Sequence, residues 1–202
     1  KHYPALLDKV SHTVSPMVAT ARYIKKRHPG ATVVFIGPCI AKKAETVYGD
    51  AGQYVDCTIT FEEMQALFDA KGVDLKTTDP VTLDRASYYG RVFARCGGLA
   101  EAVGQALREQ GVTEEQFTLK AVSCSGLADC NTALLKASKG KLSENFIEGM
   151  ACDGGCVQGA GCLVRSPRNR MDVEKHAKQA DGRTILQAVA ASRGEQPKQE
   201  AA

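Results

Sequence analysis

The sequence predicts an α/β fold in which a mostly parallel sheet is flanked by helices. Two observations carry this. The run Thr32-Val33-Val34-Phe35-Ile36 is β-branched or apolar throughout, and a run without alternation suits a strand buried in a parallel sheet. Around it apolar residues recur at helical spacing. After Pro16, Val18, Ala21, Tyr23 and Ile24 share one side, while Arg22, Lys25, Lys26 and Arg27 lie mostly on the other.

The elements follow in order. Pro29-Gly30 ends the first helix, and Gly37-Pro38 stops the strand, which places Cys39 just past a strand's carboxyl end. In open α/β sheets that edge is where ligands bind. Thr58-Ile59-Thr60 reads as a strand end and cap, leading into an amphipathic helix through Phe61, Met64, Leu67 and Phe68. Residues 74–89 carry weak signals and read as an irregular connection. Gly97-Gly98 opens a helix through Leu99, Val103, Ala106 and Leu107, closed near Gly111. Residues 117–122 read as a second strand, 129–139 as a helix ended by Gly140, and 145–147 as a third strand. A glycine- and cysteine-rich stretch covers 150–162. After Pro167 the composition shifts to charged helix formers, with a last helix over 184–190 and a polar, disordered tail from 193 to 202.

The totals exclude several classes. The 202 residues suffice for one domain with a sizeable core or two small ones. A net charge of +3, dispersed along the chain, argues against nucleic acid or an anionic membrane as partner. No apolar run approaches the roughly 20 residues of a membrane span. Lys1-His2-Tyr3-Pro4 shows no secretory signal, so a cytoplasmic, reducing location is expected.

Eight cysteines are the unusual total. In an ordinary α/β chain they point to metal or redox chemistry before a disulfide framework. Cys152-Asp153-Gly154-Gly155-Cys156 is the most informative local pattern. Two thiolates four residues apart can converge on one metal centre, and the glycines let the backbone approach inorganic atoms closely. Lys42 and Lys43 follow Cys39 and would stabilise a nearby anion. The paired knuckles of a zinc ribbon are missing from the pattern. Cys57, Cys96, Cys124, Cys130 and Cys162 read equally as small buried hydrophobes.

Two longer segments carry a family resemblance. Ile36-Gly-Pro-Cys-Ile-Ala-Lys-Lys-Ala-Glu45 resembles the second conserved motif of iron-only ([FeFe]) hydrogenases, and Phe146-Ile-Glu-Gly-Met-Ala-Cys-Asp-Gly-Gly-Cys156 resembles the third. Tyr89-Gly-Arg-Val-Phe-Ala-Arg-Cys-Gly-Gly98 is similar to a glycine-containing segment between them, and Ser11-His-Thr-Val-Ser-Pro16 to the stretch after the first motif. The resemblance covers about residues 1 to 166. It implies a partial H-cluster domain over 1–166, incomplete at its amino end, a helical extension over 167–192, and the tail.

The resemblance also implies roles. The family's cofactor is a [4Fe–4S] cluster linked to a di-iron subcluster with CO, cyanide and a bridging dithiolate. Cys39, Cys152 and Cys156 would be the metal ligands, with Cys156 bridging to the di-iron unit. Lys42 would hydrogen-bond a cyanide. Pro38 would set its backbone beside the diatomic ligands, Met150 and Phe93 would supply apolar packing, and Ser11 matches a serine of the family's proton path. The plainer readings are a solvated lysine for Lys42 and a capping or loop serine for Ser11. Glu45 and Glu148 either hold the motif loops or are exposed carboxylates. The expected partners are a ferredoxin-type electron carrier or upstream ferredoxin-like domains, together with hydrogenase maturation proteins.

The match breaks in places. The family's first motif, with the fourth cluster cysteine and a proton-relay cysteine, has no counterpart here, so the chain alone is expected to be inactive and without a complete cluster. Gly37 stands where catalytic members usually have Met, and Cys162 where Gly and Gln are usual; both suit a divergent or sensory branch. Reversible H2 oxidation and proton reduction, or H2 sensing, is the leading expectation. The alternatives are a hydrogenase-like iron–sulfur assembly scaffold without H2 chemistry, and a structural zinc or redox-thiol domain.

Overall fold

A computed structural model describes residues 2–81 and 86–194. They fall into two compact units, one from Lys1–Asp79 with Gln158–Arg165, the other from Pro80–Val157 with Ser166–Ala202.

The first unit holds a 3-10 turn over Pro4–Lys9, α1 (Pro16–Arg27), β1 (Val34–Ile36), α2 (Ile40–Tyr48), β2 (Cys57–Ile59) and α3 (Phe61–Ala70). Strands β1 and β2 pair in parallel, Val34 opposite Cys57 and Ile36 opposite Ile59, with α2 in the crossover. The core gathers Met17, Val18 and Ala21 of α1 with Val33, Ala51 and Val55, and Phe35 packs on it. Sequence and structure differ at Thr32–Ile36, read as buried on both faces. Val33 and Phe35 turn to the core, while Val34 and Ile36 are 45% and 44% exposed. A parallel pair packed on one face alternates like any half-buried strand.

The second unit contains α4 (Tyr88–Val92), α5 (Gly98–Glu109), β3 (Ala121–Ser125), α6 (Gly126–Ser138), β4 (Phe146–Met150), α7 (Arg168–Ala177) and α8 (Ile185–Arg193). It repeats the plan of the first, since β3 and β4 pair in parallel from Ala121–Phe146 to Ser125–Met150 with α6 between them. The expected parallel pairing is therefore present, as two strand pairs among the described residues rather than one sheet.

Local chemistry explains most boundaries. Ser15 caps α1, its Oγ accepting from Val18 N, and Pro16 follows at the first helical position. Thr60 and Glu63 form a reciprocal capping box on α3, and Thr184 and Gln187 form another on α8. Three assignments differ from the sequence reading. The second strand starts at Ala121, not 117, because Gln116 and Phe117 fold back in a turn on the Thr113 carbonyl. Helix α4, capped by Ser87, occupies the end of the expected irregular connection, of which 82–85 lie outside the described residues. Helix α2 emerges from a segment read only as a motif. Of the expected tail, α8 includes Arg193 and 195–202 lie outside the described residues.

Candidate functional site

The motif residues sit where strands end. In the first unit β1 runs into Gly37-Pro38-Cys39, and Cys39 is the half-buried residue at the amino terminus of α2. The Pro38 carbonyl accepts from Gly161 N at 3.1 Å, so the 158–165 segment braces this loop. One turn into α2, half-buried Lys42 pairs with Glu45. The other Glu45 oxygen accepts from Ser15 Oγ at 2.7 Å. Burial alone would raise the Glu45 carboxyl, but Lys42 and Ser15 outweigh it and hold it below the usual range. Lys42 is thereby positioned with further N–H groups to give. Ser11 is exposed, and its Oγ accepts from Thr13 N at 3.2 Å.

In the second unit β4 runs into Met150-Ala151-Cys152, and the chain turns through Gly154 and Gly155 to Cys156. Both glycines have positive φ, 79° and 94°. A Cβ on Gly155 would come within 2.5 Å of Cys96 N, so only glycine fits there. The turn is stitched down on both sides. Cys96 N donates to the Gly154 carbonyl at 3.0 Å, Val157 N donates to the Ala94 carbonyl at 3.2 Å, and Arg95 and Gly155 form an antiparallel bridge. Gly154 N donates to Ser125 Oγ at 2.8 Å. Met150 is half-buried, its carbonyl accepting from Cys130 Sγ at 3.6 Å, and Phe93 is half-buried after α4.

Glu148 is buried, with 1% exposed. Its carboxylate accepts from Gly97 N and Ala100 N, both at 2.9 Å, and from Ser123 Oγ at 3.2 Å. Of the two sequence readings, loop holding is the one the geometry bears out for Glu148, and Glu45 holds Lys42 in the same sense. Sequence reasoning missed Arg95. Its side chain is 5% exposed and joins Glu101 and Glu174. The only local signal was an acidic residue six positions on.

All eight cysteines are thiols, none in a disulfide. Cys96 and Cys124 are buried, and burial pushes both thiols up, which keeps them protonated. Cys57 is exposed. Cys39 belongs to one unit, Cys152 and Cys156 to the other. Among the described residues no group of three or more His, Cys, Asp or Glu is gathered for a metal ion. The donor chemistry still suits iron and sulfide. Half-buried thiols on glycine-rich or helix-terminal backbone are soft ligands beside N–H groups. No described helix is long and apolar enough to cross a membrane.

Comparison with known proteins narrows the assignment. The family described as "Iron only hydrogenase large subunit, C-terminal domain" matches residues 1–160. The cytosolic iron-sulfur assembly component 3 of Rattus norvegicus is 26% identical over 77% of this chain and 38% of its own length. Iron hydrogenase 1 of Clostridium pasteurianum is 26% identical over 86% of this chain and 38% of its own. The chain thus spans about two fifths of the curated relatives it matches. Among solved structures, an apo [FeFe]-hydrogenase variant from Chlamydomonas reinhardtii superposes with a TM-score of 0.63 at 19% identity, covering 88% of this chain and 61% of that one. An [FeFe]-hydrogenase structure described for stepwise H-cluster assembly gives 0.66 at 19% identity, over 96% and 66%. The fold is therefore that of the [FeFe]-hydrogenases, and the chain belongs to the family formed by the C-terminal domain of iron-only hydrogenase large subunits.

Proposed function

We propose that this chain is part of an iron-only hydrogenase that catalyses reversible H2 oxidation and proton reduction, or senses H2, at a [4Fe–4S]-linked di-iron cluster. The observation that carries the reading is the half-buried Lys42–Glu45–Ser15 network one turn beyond Cys39. An assembly scaffold has no use for a lysine held ready to donate to an anionic diatomic ligand.

In this reading Cys39, Cys152 and Cys156 would hold the [4Fe–4S]-linked di-iron cluster, whose further ligands are CO, cyanide and a dithiolate. When bound, that group supplies the electron transfers and the open metal position. The chain supplies the rest. Lys42 would donate to a cyanide of that group, a charge-assisted bond that is stronger where water is excluded. Glu45 and Ser15 hold the ammonium in place. Pro38 would present its backbone to the diatomic ligands, Met150 and Phe93 would pack against the group as apolar side chains, and Ser11 would belong to a proton path. The partial H-cluster domain spans 1–166 and 167–192 extends it. Electrons come from a ferredoxin-type carrier or upstream ferredoxin-like domains, maturation proteins insert the cofactor, and the location is the cytoplasm.

A second reading, iron–sulfur assembly without H2 chemistry, has its own support. Relatives named as assembly components match at the same identity as the hydrogenase. Gly37 is also buried against Phe35, whose ring carbon lies 2.7 Å from where a Cβ would sit. The methionine that catalytic members usually carry would displace that ring. Infrared spectroscopy on the protein within its parent, matured anaerobically, separates the two. CO and cyanide bands, weakened or shifted in Lys42→Ala, are expected. Iron and sulfide without such bands would overturn the hydrogenase reading in favour of assembly.

A further inference from the structure

The match to the family ends at residue 160, yet α7, which begins at Arg168, reaches the cysteine turn of the second unit. Arg95 is the link. Its Nη2 donates to both Glu101 oxygens, at 2.8 and 2.7 Å, and its Nε to Glu174 Oε2 of α7 at 3.0 Å. The other Glu174 oxygen accepts from Tyr88 Oη at 2.5 Å. The backbone of Arg95 forms an isolated antiparallel bridge with Gly155, the glycine adjoining Cys156. A second tie runs beside it, for Asn169 Nδ2 of α7 donates at 3.0 Å to the carbonyl of Val157, the residue after Cys156. Arg91 Nη1 donates to the His176 carbonyl at 3.1 Å, holding the far end of α7 to α4.

We propose that Arg95 is a positioning residue through which α7, lying beyond the matched family residues, clamps the Cys152–Cys156 turn in its ligand geometry. A nearly buried guanidinium shared by two carboxylates is rigid in a way a surface pair is not. The backbone of the same residue carries that rigidity to Gly155. That the two thiolates bind iron rests on the function proposed above; the clamp itself does not.

The test is thiol accessibility on the metal-free 202-residue chain. Pulse labelling with N-ethylmaleimide, read residue by residue by mass spectrometry, gives a rate for each cysteine. Glu174→Ala is expected to speed Cys152 and Cys156 about fivefold, as local opening becomes easier. Exposed Cys57 and buried Cys124 keep their wild-type rates. Glu174→Gln, which retains an oxygen for Arg95 Nε, restores most of the protection. Unchanged Cys152 and Cys156 rates in a folded Glu174→Ala protein would overturn the clamp. Equal acceleration of Cys124 would also overturn it, by showing general loosening. Should Glu174→Ala unfold, Glu174→Met, which fills the same space without an acceptor for Arg95 Nε, decides by the same criterion. Because no metal is involved, failure here leaves the infrared test untouched, and failure there leaves the clamp standing.

Discussion

Glu148 shows what a single residue decides in this chain. Its buried side chain has all its partners within reach, since Gly97 N, Ala100 N and Ser123 Oγ donate to it at the amino end of α5. Glu148→Gln replaces one acceptor oxygen by an amide donor facing those N–H groups. It should cost about 2 kcal/mol, read as a shift in the urea midpoint at unchanged slope. Gly155 is stricter still. Gly155→Ala combines a φ of 94° with a Cβ 2.5 Å from Cys96 N, so the turn must move. The expected result is faster labelling of Cys152 and Cys156, with less iron bound after reconstitution; wild-type behaviour would show that the turn has slack. Cys152 and Cys156 stood out in the sequence because their spacing is local, and Cys39 because it follows a strand end. Arg95 did not, because Glu174 lies far along the chain and only folding brings it near.

At the scale of elements, caps and periodicity were legible where the partners are near in sequence. Thr60 announced α3 as its cap and the structure adds the reciprocal Glu63, so Thr60→Ala should cost about 1 kcal/mol by removing one half of the box. The second strand was misplaced because Phe117 looks like a strand residue but belongs to a turn. Ser123, Cys124 and Ser125 look like loop residues yet pair with Glu148, Gly149 and Met150. Tertiary pairing overrides weak β propensity. Helix α8 depends on a distant cap. The Glu109 carboxylate of α5 accepts from Ile185 N at 2.9 Å and Leu186 N at 3.0 Å. Burial alone would raise Glu109, but these N–H groups outweigh it and hold the carboxyl below its ordinary 4.5. Its contribution is therefore whole above pH 4.5 and is lost as the pH falls through the lower folded value. Hydrogen exchange at Ile185 and Leu186 should accelerate below that pH beyond the intrinsic trend. Glu109→Gln should show the acceleration already at neutral pH.

For the whole molecule, two βαβ units each deliver one motif loop from the carboxyl end of a parallel strand. The proposed ligands are divided between them. Cys39→Ser should therefore lower iron bound by the reconstituted protein about as far as Cys152→Ser does. Full iron retention in Cys39→Ser would assign the metal to the second unit alone.

The sequence by itself determined the α/β class, most of the helices and the family, because helical periodicity, capping pairs and contiguous motifs are written in neighbouring residues. Tertiary structure decided the rest. It set the two parallel pairs and their register, buried Glu148 under α5, and tied α7 to the cysteine turn through Arg95. Each of those depends on hydrogen bonds between groups far apart in the chain, and no local pattern encodes which distant partner a strand edge or a buried charge will find.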